Sequence, residues 1–411
     1  MGTNFLLKAL RENSGKNEPY FDCNAAVISY KTNIPVLDYY LGYTVNVFNK
    51  ETDELIEQYP CIGVTAGSYV TFIGKSSTGK TTAAIQIASN IVRDFDNGFV
   101  MHFDMEQAMN YTRIQTLSRF KTSVLEEKYI LRQEHNSITD IKKAIMKIYK
   151  MKMDNPDKYK YNTGRKNEFG EDIVIFEPTV VIIDSIATLS TYLNENDKSD
   201  YKKLEEVSSQ TDRMRVTGEI GRFYTELLPY IRTANITVIS INHIKVNPNM
   251  GIVKSPSELL YLDQNETLPG GKAPQYLAHI LLKFVAAGSE KFTEEEHGFS
   301  GFGLNIKIIK SRVGENGNSV HLIYDKSRGI DSLRSTVDFA KENGLIGGNK
   351  NGYYFTDNKD MKFPLIGMHD AFKENRDLYK IMYGNVIPIL EQKLSSYNSE
   401  EQEVPEEEFN Y

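Results

Sequence analysis

The chain is poor in cysteine, lacks any long apolar run and carries no excess of positive charge. Its two cysteines, Cys23 and Cys61, are too few for a disulfide framework or a metal cluster of their own. They read as reduced thiols of a cytoplasmic protein. No apolar stretch approaches the roughly 20 residues that cross a bilayer, so no membrane partner is expected. Residues 1–12 have neither a long apolar centre nor a small-residue cleavage site, and do not read as a secretory signal. The formal net charge is -7, whereas nucleic-acid-binding domains are often strongly basic. However, residues 399–408 hold six glutamates and no base. The body is therefore nearly neutral, and the total charge argues only weakly against a DNA partner.

What is present is ample apolar material, 40% of 411 residues, enough for two or three domains. Phe5, Leu6, Ala9 and Leu10 recur at helical spacing, and residues 1–31 read as an N-terminal oligomerisation segment with a polar linker. Residues 32–328 alternate β-prone runs with helical ones, the pattern of a mostly parallel α/β core. The runs are 69–73, 99–103, 180–183, 237–241, 279–284, 304–309 and 320–324, with a helix over 81–92. Ser137 and Asp140 are spaced as a capping box ahead of Ile141, Ile145 and Ile148. Residues 154–172 read as an exposed polar insertion, and residues 245–271 as a long irregular loop of the kind that is functional or disordered. Residues 329–396 read as a small α+β domain. The acidic tail, 397–411, has too little apolar surface to offset its ordering entropy.

The most informative stretch is Gly74-Lys75-Ser76-Ser77-Thr78-Gly79-Lys80-Thr81, followed by Thr82. It matches the glycine-rich phosphate loop, and it lies between a strand and a helix as that loop requires. Backbone N–H groups there can wrap phosphates, with the positive helix end beneath them. Lys80 would reach the β/γ-phosphates of ATP, and the Thr81 hydroxyl would bind Mg²⁺. Val180-Val181-Ile182-Ile183-Asp184 is an apolar strand ending in the carboxylate expected on the Mg²⁺ side. Glu106 closes the second strand. It can serve as general base or simply cap the next helix. Asn242 and His243 end the fourth strand at the same edge, where a polar side chain could sense the γ-phosphate.

These pieces, in this order, resemble the RecA/RadA recombinase family, and within it the tailed-bacteriophage UvsX type. GKSSTGKT, FDMEQA, VVIIDSIATL, ISINHIK, LPGGKAP and IKSR carry the resemblance, and GLIGGNKNGYYF resembles the small C-terminal domain of such proteins. The resemblance implies a DNA-dependent ATPase that forms filaments on single-stranded DNA, pairs it with double-stranded DNA and exchanges strands. Loader or mediator proteins and single-strand-binding proteins would be its partners. It implies Glu106 as the catalytic glutamate and His243 as γ-phosphate sensor. Lys310 and Arg312 would be a basic pair that reaches the next subunit's ATP. Read as residues alone, Lys307, Lys310 and Arg312 are more often an exposed strand face.

By position, two family DNA-binding loops fall near residues 208–221, with Arg213 and Arg215, and near residues 245–271, with Lys245, Lys254, Gly270 and Gly271, followed by Lys272. Each is also readable as a mobile surface loop. The acidic tail can compete with DNA electrostatically or merely solubilise. Residues 44–64 and 154–172 depart from the family pattern. A ring helicase and a non-catalytic accessory paralogue share parts of this motif set.

Overall fold

The computed structural model describes residues 28–394 except 50, 135–136, 168, 193–200, 204–209, 247–260, 264 and 350–351. Residues 1–27 of the segment expected at 1–31, the whole tail expected at 397–411, and Lys254 lie outside the described residues.

Nine strands form the main sheet: β1 Tyr69–Gly74, β2 Phe99–Asp104, β3 Tyr129–Arg132, β4 Thr179–Asp184, β5 Ile236–His243, β6 Ile280–Phe292, β7 Gly301–Ser311, β8 Ser319–Asp325 and β9 Gly329–Ile330. Their spatial order is β9-β8-β7-β6-β1-β5-β4-β2-β3. Strands β6, β1, β5, β4, β2 and β3 run parallel; β7, β8 and β9 continue as antiparallel neighbours. The parallel part is covered on both faces, which is why β1 and β4 are buried at every position. Each fully buried valine, isoleucine or phenylalanine there stabilises the sheet by about 1.5–3 kcal/mol.

One face is covered by helix α1, Lys80–Val92, packed through Ala83, Ala84, Ile87, Ala88 and Ile91. The other is covered by α2, Ile138–Asp154, and α3, Gln210–Thr233. Helix α2 starts where the sequence places its capping box. Asp140 N–H donates to Ser137 Oγ, 3.2 Å, and Ser137 N–H to Asp140 Oδ2, 3.0 Å. Ile141, Ile145 and Ile148 face the sheet.

Several boundaries differ from the sequence reading. Ser29–Tyr30 pairs with Val64–Thr65, and Tyr30 is buried, so the body takes in residues before 32. The polar insertion is folded: Lys160–Lys166 and Asp172–Phe176 form a hairpin over a second hairpin, Tyr43–Phe48 with Leu55–Cys61. Tyr59 Oη donates to Lys166 O at 2.9 Å, and Arg165 stacks 4.5 Å over the Tyr59 ring. The polar, mostly exposed first strand hid this hairpin; its buried side chains, Ile173, Ile175 and Phe176, are on the second. Beyond β9, helix α4, Ser332–Glu342, starts at Asp331, which caps it by accepting from Arg334 N–H at 3.0 Å. A three-stranded antiparallel sheet and helices Met368–Glu374 and Asp377–Glu391 follow. No helix among the described residues is long and apolar enough to cross a membrane.

Candidate functional site

Parallel register brings distant residues to one sheet edge. His243 is opposite Gly74, and Asp184 is opposite Asp104. The carboxyl ends of β1, β2, β4 and β5 therefore converge, the position at which open α/β sheets bind ligands. Between β1 and α1 the chain turns through residues 75–79. Gly79 has φ +83°, and a Cβ there would sit 2.8 Å from the Tyr324 ring, so the turn needs glycine. The first N–H groups of α1 receive no side-chain cap, which leaves them facing the loop.

Within that turn Lys80 is buried and donates from Nζ to Gly74 O, 3.0 Å, and Lys75 O, 2.7 Å. Burial lowers its pKa to about 8, against the opposing pull of Asp184 and Glu106. Thr78 Oγ1 donates to Lys75 O at 2.9 Å. Ser76 and Ser77 are exposed. Lys75 turns out of the cradle towards Glu266 Oε1, 3.3 Å away. Thr82 Oγ1 lies 3.1 Å from Tyr324 Oη.

Thr81 Oγ1 donates to Asp184 Oδ2 at 2.6 Å. Burial raises the Asp184 carboxyl to about 7, partly offset by the Thr81 bond. Its Oδ1 is buried without a hydrogen-bond partner among the described residues. A buried carboxylate oxygen left over, beside a threonine hydroxyl, fits a hard divalent cation that takes oxygen ligands. Glu106, Asp184 and His243 each place a ligand atom within 4.8 Å of the others.

Glu106 does not cap a helix. Its Oε1 accepts from Ser185 Oγ at 2.9 Å and lies 3.0 Å from His243 Nε2. The His243 bond, with Ser185 and nearby charge, outweighs burial and holds the Glu106 carboxyl below its usual range. Ser185 is a site residue that the motifs did not single out, although it lies within VVIIDSIATL. Tyr324 is another, visible only through the fold.

Lys310 and Arg312 are not brought to this loop. Lys310 is opposite Leu281 of β6, which is opposite Thr71, three positions before Gly74. Arg312 N–H donates to His279 O, and His279 N–H to Tyr69 O. Both cations thus sit towards the amino end of β1, Lys310 about 10 Å along the strand direction from Gly74 at 3.3 Å per residue. Lys310 Nζ donates instead to Tyr276 O at 2.6 Å.

The two stretches expected to touch DNA meet each other. The described part of the first is helix, not loop, because Val216, Ile220, Phe223 and Leu227 form a buried stripe. The side chain of Arg213 lies outside the described residues, and Arg215 is exposed. Gly270 and Gly271 pack on this helix; a Cβ on Gly271 would lie 2.5 Å from Thr217 Cγ2. Lys245 and Lys272 are exposed. Lys245–Val246 pairs with Glu266–Thr267, and Asn242 Nδ2 donates to Pro269 O at 2.9 Å. The second stretch is thereby tied to the strand that carries His243.

Fold and site define an α/β protein with a large, mostly parallel sheet and a glycine-rich turn beside converging acids, compatible with a RecA-like core. Two curated proteins are similar to it in sequence. A "Recombination and repair protein" of Enterobacteria phage T4 is 25% identical over 178 residues, covering 43% of this chain and 40% of that protein. "Protein RecA" of Mycoplasma mobile is 23% identical over 213 residues, covering 51% and 57%. The chain spans about half the length of the curated relatives it matches. No family model matches it. The similarity supports a relationship to the RecA family as a whole and not to one member.

Proposed function

We propose that this chain is an ATP-dependent recombinase that forms helical filaments on single-stranded DNA and promotes homologous pairing and strand exchange. One observation carries the reading. A glycine-rich turn, Thr81 with Asp184, and a hydrogen-bonded Glu106–His243 pair share one sheet edge, while Lys310 and Arg312 sit away from it on the same sheet. A single copy holds most of an ATPase site and displays the rest elsewhere. The names of the two relatives, a recombination and repair protein and a RecA, point the same way.

In this reading the backbone of residues 74–79 and the N-terminus of α1 hold the phosphates, and Lys80 leaves its loop carbonyls for the β/γ-phosphates. Thr81 and Asp184 would hold Mg²⁺, which supplies charge neutralisation at the phosphoryl oxygens when bound. Glu106 takes a proton from the attacking water at Oε2 while Ser185 and His243 hold Oε1. The water oxygen bonds to the γ-phosphorus as the bond to the β-bridging oxygen breaks. His243 ties this chemistry to residues 245–271. Lys310 and Arg312 act on the neighbouring copy's ATP, so filament assembly completes each site. Arg215, Lys245 and Lys272, with the glycine pair, hold the DNA backbone, which requires cations and close main chain and not base readout.

The test is ATP hydrolysis with and without single-stranded DNA, with electron microscopy of the same samples. DNA-stimulated turnover accompanied by filaments supports the reading. Closed rings, or turnover indifferent to DNA, contradicts it.

A further inference from the structure

His102 is a histidine in the middle of a strand that is otherwise apolar up to its final Asp104, and it is fully buried. A buried donor left unpaired is destabilising, so an imidazole here needs a compensating role. Its Nδ1 lies 2.9 Å from Tyr129 Oη. Burial raises the Tyr129 hydroxyl well above its usual pKa, so the phenol keeps its proton and donates it to Nδ1. With Nδ1 accepting from that phenol, the ring hydrogen sits on Nε2. That Nε2 has no hydrogen-bond partner among the described residues, and it lies 4.0 Å from Asp184 Oδ2. The other nearby acid, Asp104, is already engaged by Met109 N–H at 2.9 Å and Gln133 Nε2 at 2.8 Å. Asp184 is therefore the acceptor that the free N–H faces.

We propose that His102 is a positioning residue for the cation site: its Nε2–H, oriented by Tyr129, steadies the Asp184 carboxylate from behind while Thr81 holds it from the front. This rests on the nucleotide reading above. Thr81 and His102 both address Oδ2, which leaves Oδ1 as the oxygen turned to a cation. A shift of about 1 Å would bring the 4.0 Å separation to hydrogen-bond length. Donors behind a metal-binding group fix its orientation, and losing one typically costs 10- to 100-fold in metal affinity.

The test measures binding of ATPγS to the full chain with Mn²⁺ and again with EDTA. The ratio of the two affinities reads the cation's share. His102→Phe is expected to shrink that ratio by about 10-fold while leaving affinity in EDTA unchanged. Tyr129→Phe, which frees the ring tautomer, should shrink it less, and His102→Gln, which restores an N–H, should recover part of it. If His102→Phe fails to fold, the Tyr129→Phe and His102→Gln variants carry the comparison. A ratio unchanged in the folded variants overturns the proposal and makes His102 a core residue only. If the unmodified chain shows no ATPγS binding that Lys80→Ala removes, the nucleotide reading itself falls, and this proposal with it.

Discussion

His243 Nε2 and Glu106 Oε1 lie 3.0 Å apart, joining the end of β5 to the carboxylate that follows β2. The contact spans 137 positions of sequence, and only the parallel order of β1, β5, β4 and β2 makes it. It gives the carboxylate one fixed oxygen and one free one. It also ties the strand that runs on to Lys245–Val246, paired with Glu266–Thr267, to Glu106.

The first prediction concerns that pair. Glu106→Gln removes the base and is expected to lower kcat by about 100- to 10,000-fold, with little change in ATP affinity. The carboxylate, not the acid, takes the proton, and the His243 bond holds its pKa down. Turnover should therefore persist as pH falls through the ordinary carboxylate range. His243→Ala should move the acid limb of the kcat profile to higher pH. An acid limb left where it was would show that the bond does not act on Glu106.

Gly271 supplies the second. Its φ of +75° and the 2.5 Å approach to Thr217 leave no room for a Cβ. Gly271→Ala is expected to cost about 1–3 kcal/mol and to separate the glycine pair from α3. Fluorescence anisotropy should show weaker binding to single-stranded DNA, whereas binding of a fluorescent ATP analogue should be preserved. DNA affinity equal to the unmodified chain's would remove this surface from the DNA site.

A third prediction tests the join to the C-terminal region. Asp331 caps α4, lies 2.7 Å from His369 Nε2 and 3.4 Å from Arg334 Nε, and is buried. Burial alone would raise its carboxyl, but these partners outweigh burial and hold it below its usual range. A depressed carboxyl stabilises the fold above its unfolded pKa, and that stability fades as pH falls through the folded one. Asp331→Ala, which strands a buried Arg334, should cost about 3–5 kcal/mol near pH 7. The difference between variant and parent, read from urea midpoints, should narrow below about pH 4.

The positions of the candidate site residues at strand ends are legible in the sequence because each piece is local. The 74–81 loop needs its own glycines and lysine, and Asp184 announces itself by ending an apolar strand. The capping box of α2 is local too. What stayed hidden depends on register. Ser185 reaches Glu106 across 79 positions, and His102 meets Asp184 only because β2 and β4 are neighbours. The hairpin at Lys160–Lys166 and Asp172–Phe176 looked like a polar insertion because its first strand is polar and mostly exposed, while the buried Ile173, Ile175 and Phe176 all lie on the second. The separation of Lys310 and Arg312 from the loop could not be read from the IKSR motif, since the antiparallel turn of β7 sets it.

The central claim is that each active site is completed by a second copy, and a mixing experiment tests it most directly. Lys80→Ala lacks the phosphate-binding amine but keeps Lys310; Lys310→Ala does the reverse. Each alone should show little DNA-stimulated ATP hydrolysis. In a head-to-tail filament assembled at random from equal amounts, about one interface in four pairs an intact loop with an intact Lys310. Mixing should therefore restore about a quarter of the unmodified activity. No recovery on mixing, or full activity of Lys310→Ala alone, would contradict an interfacial site.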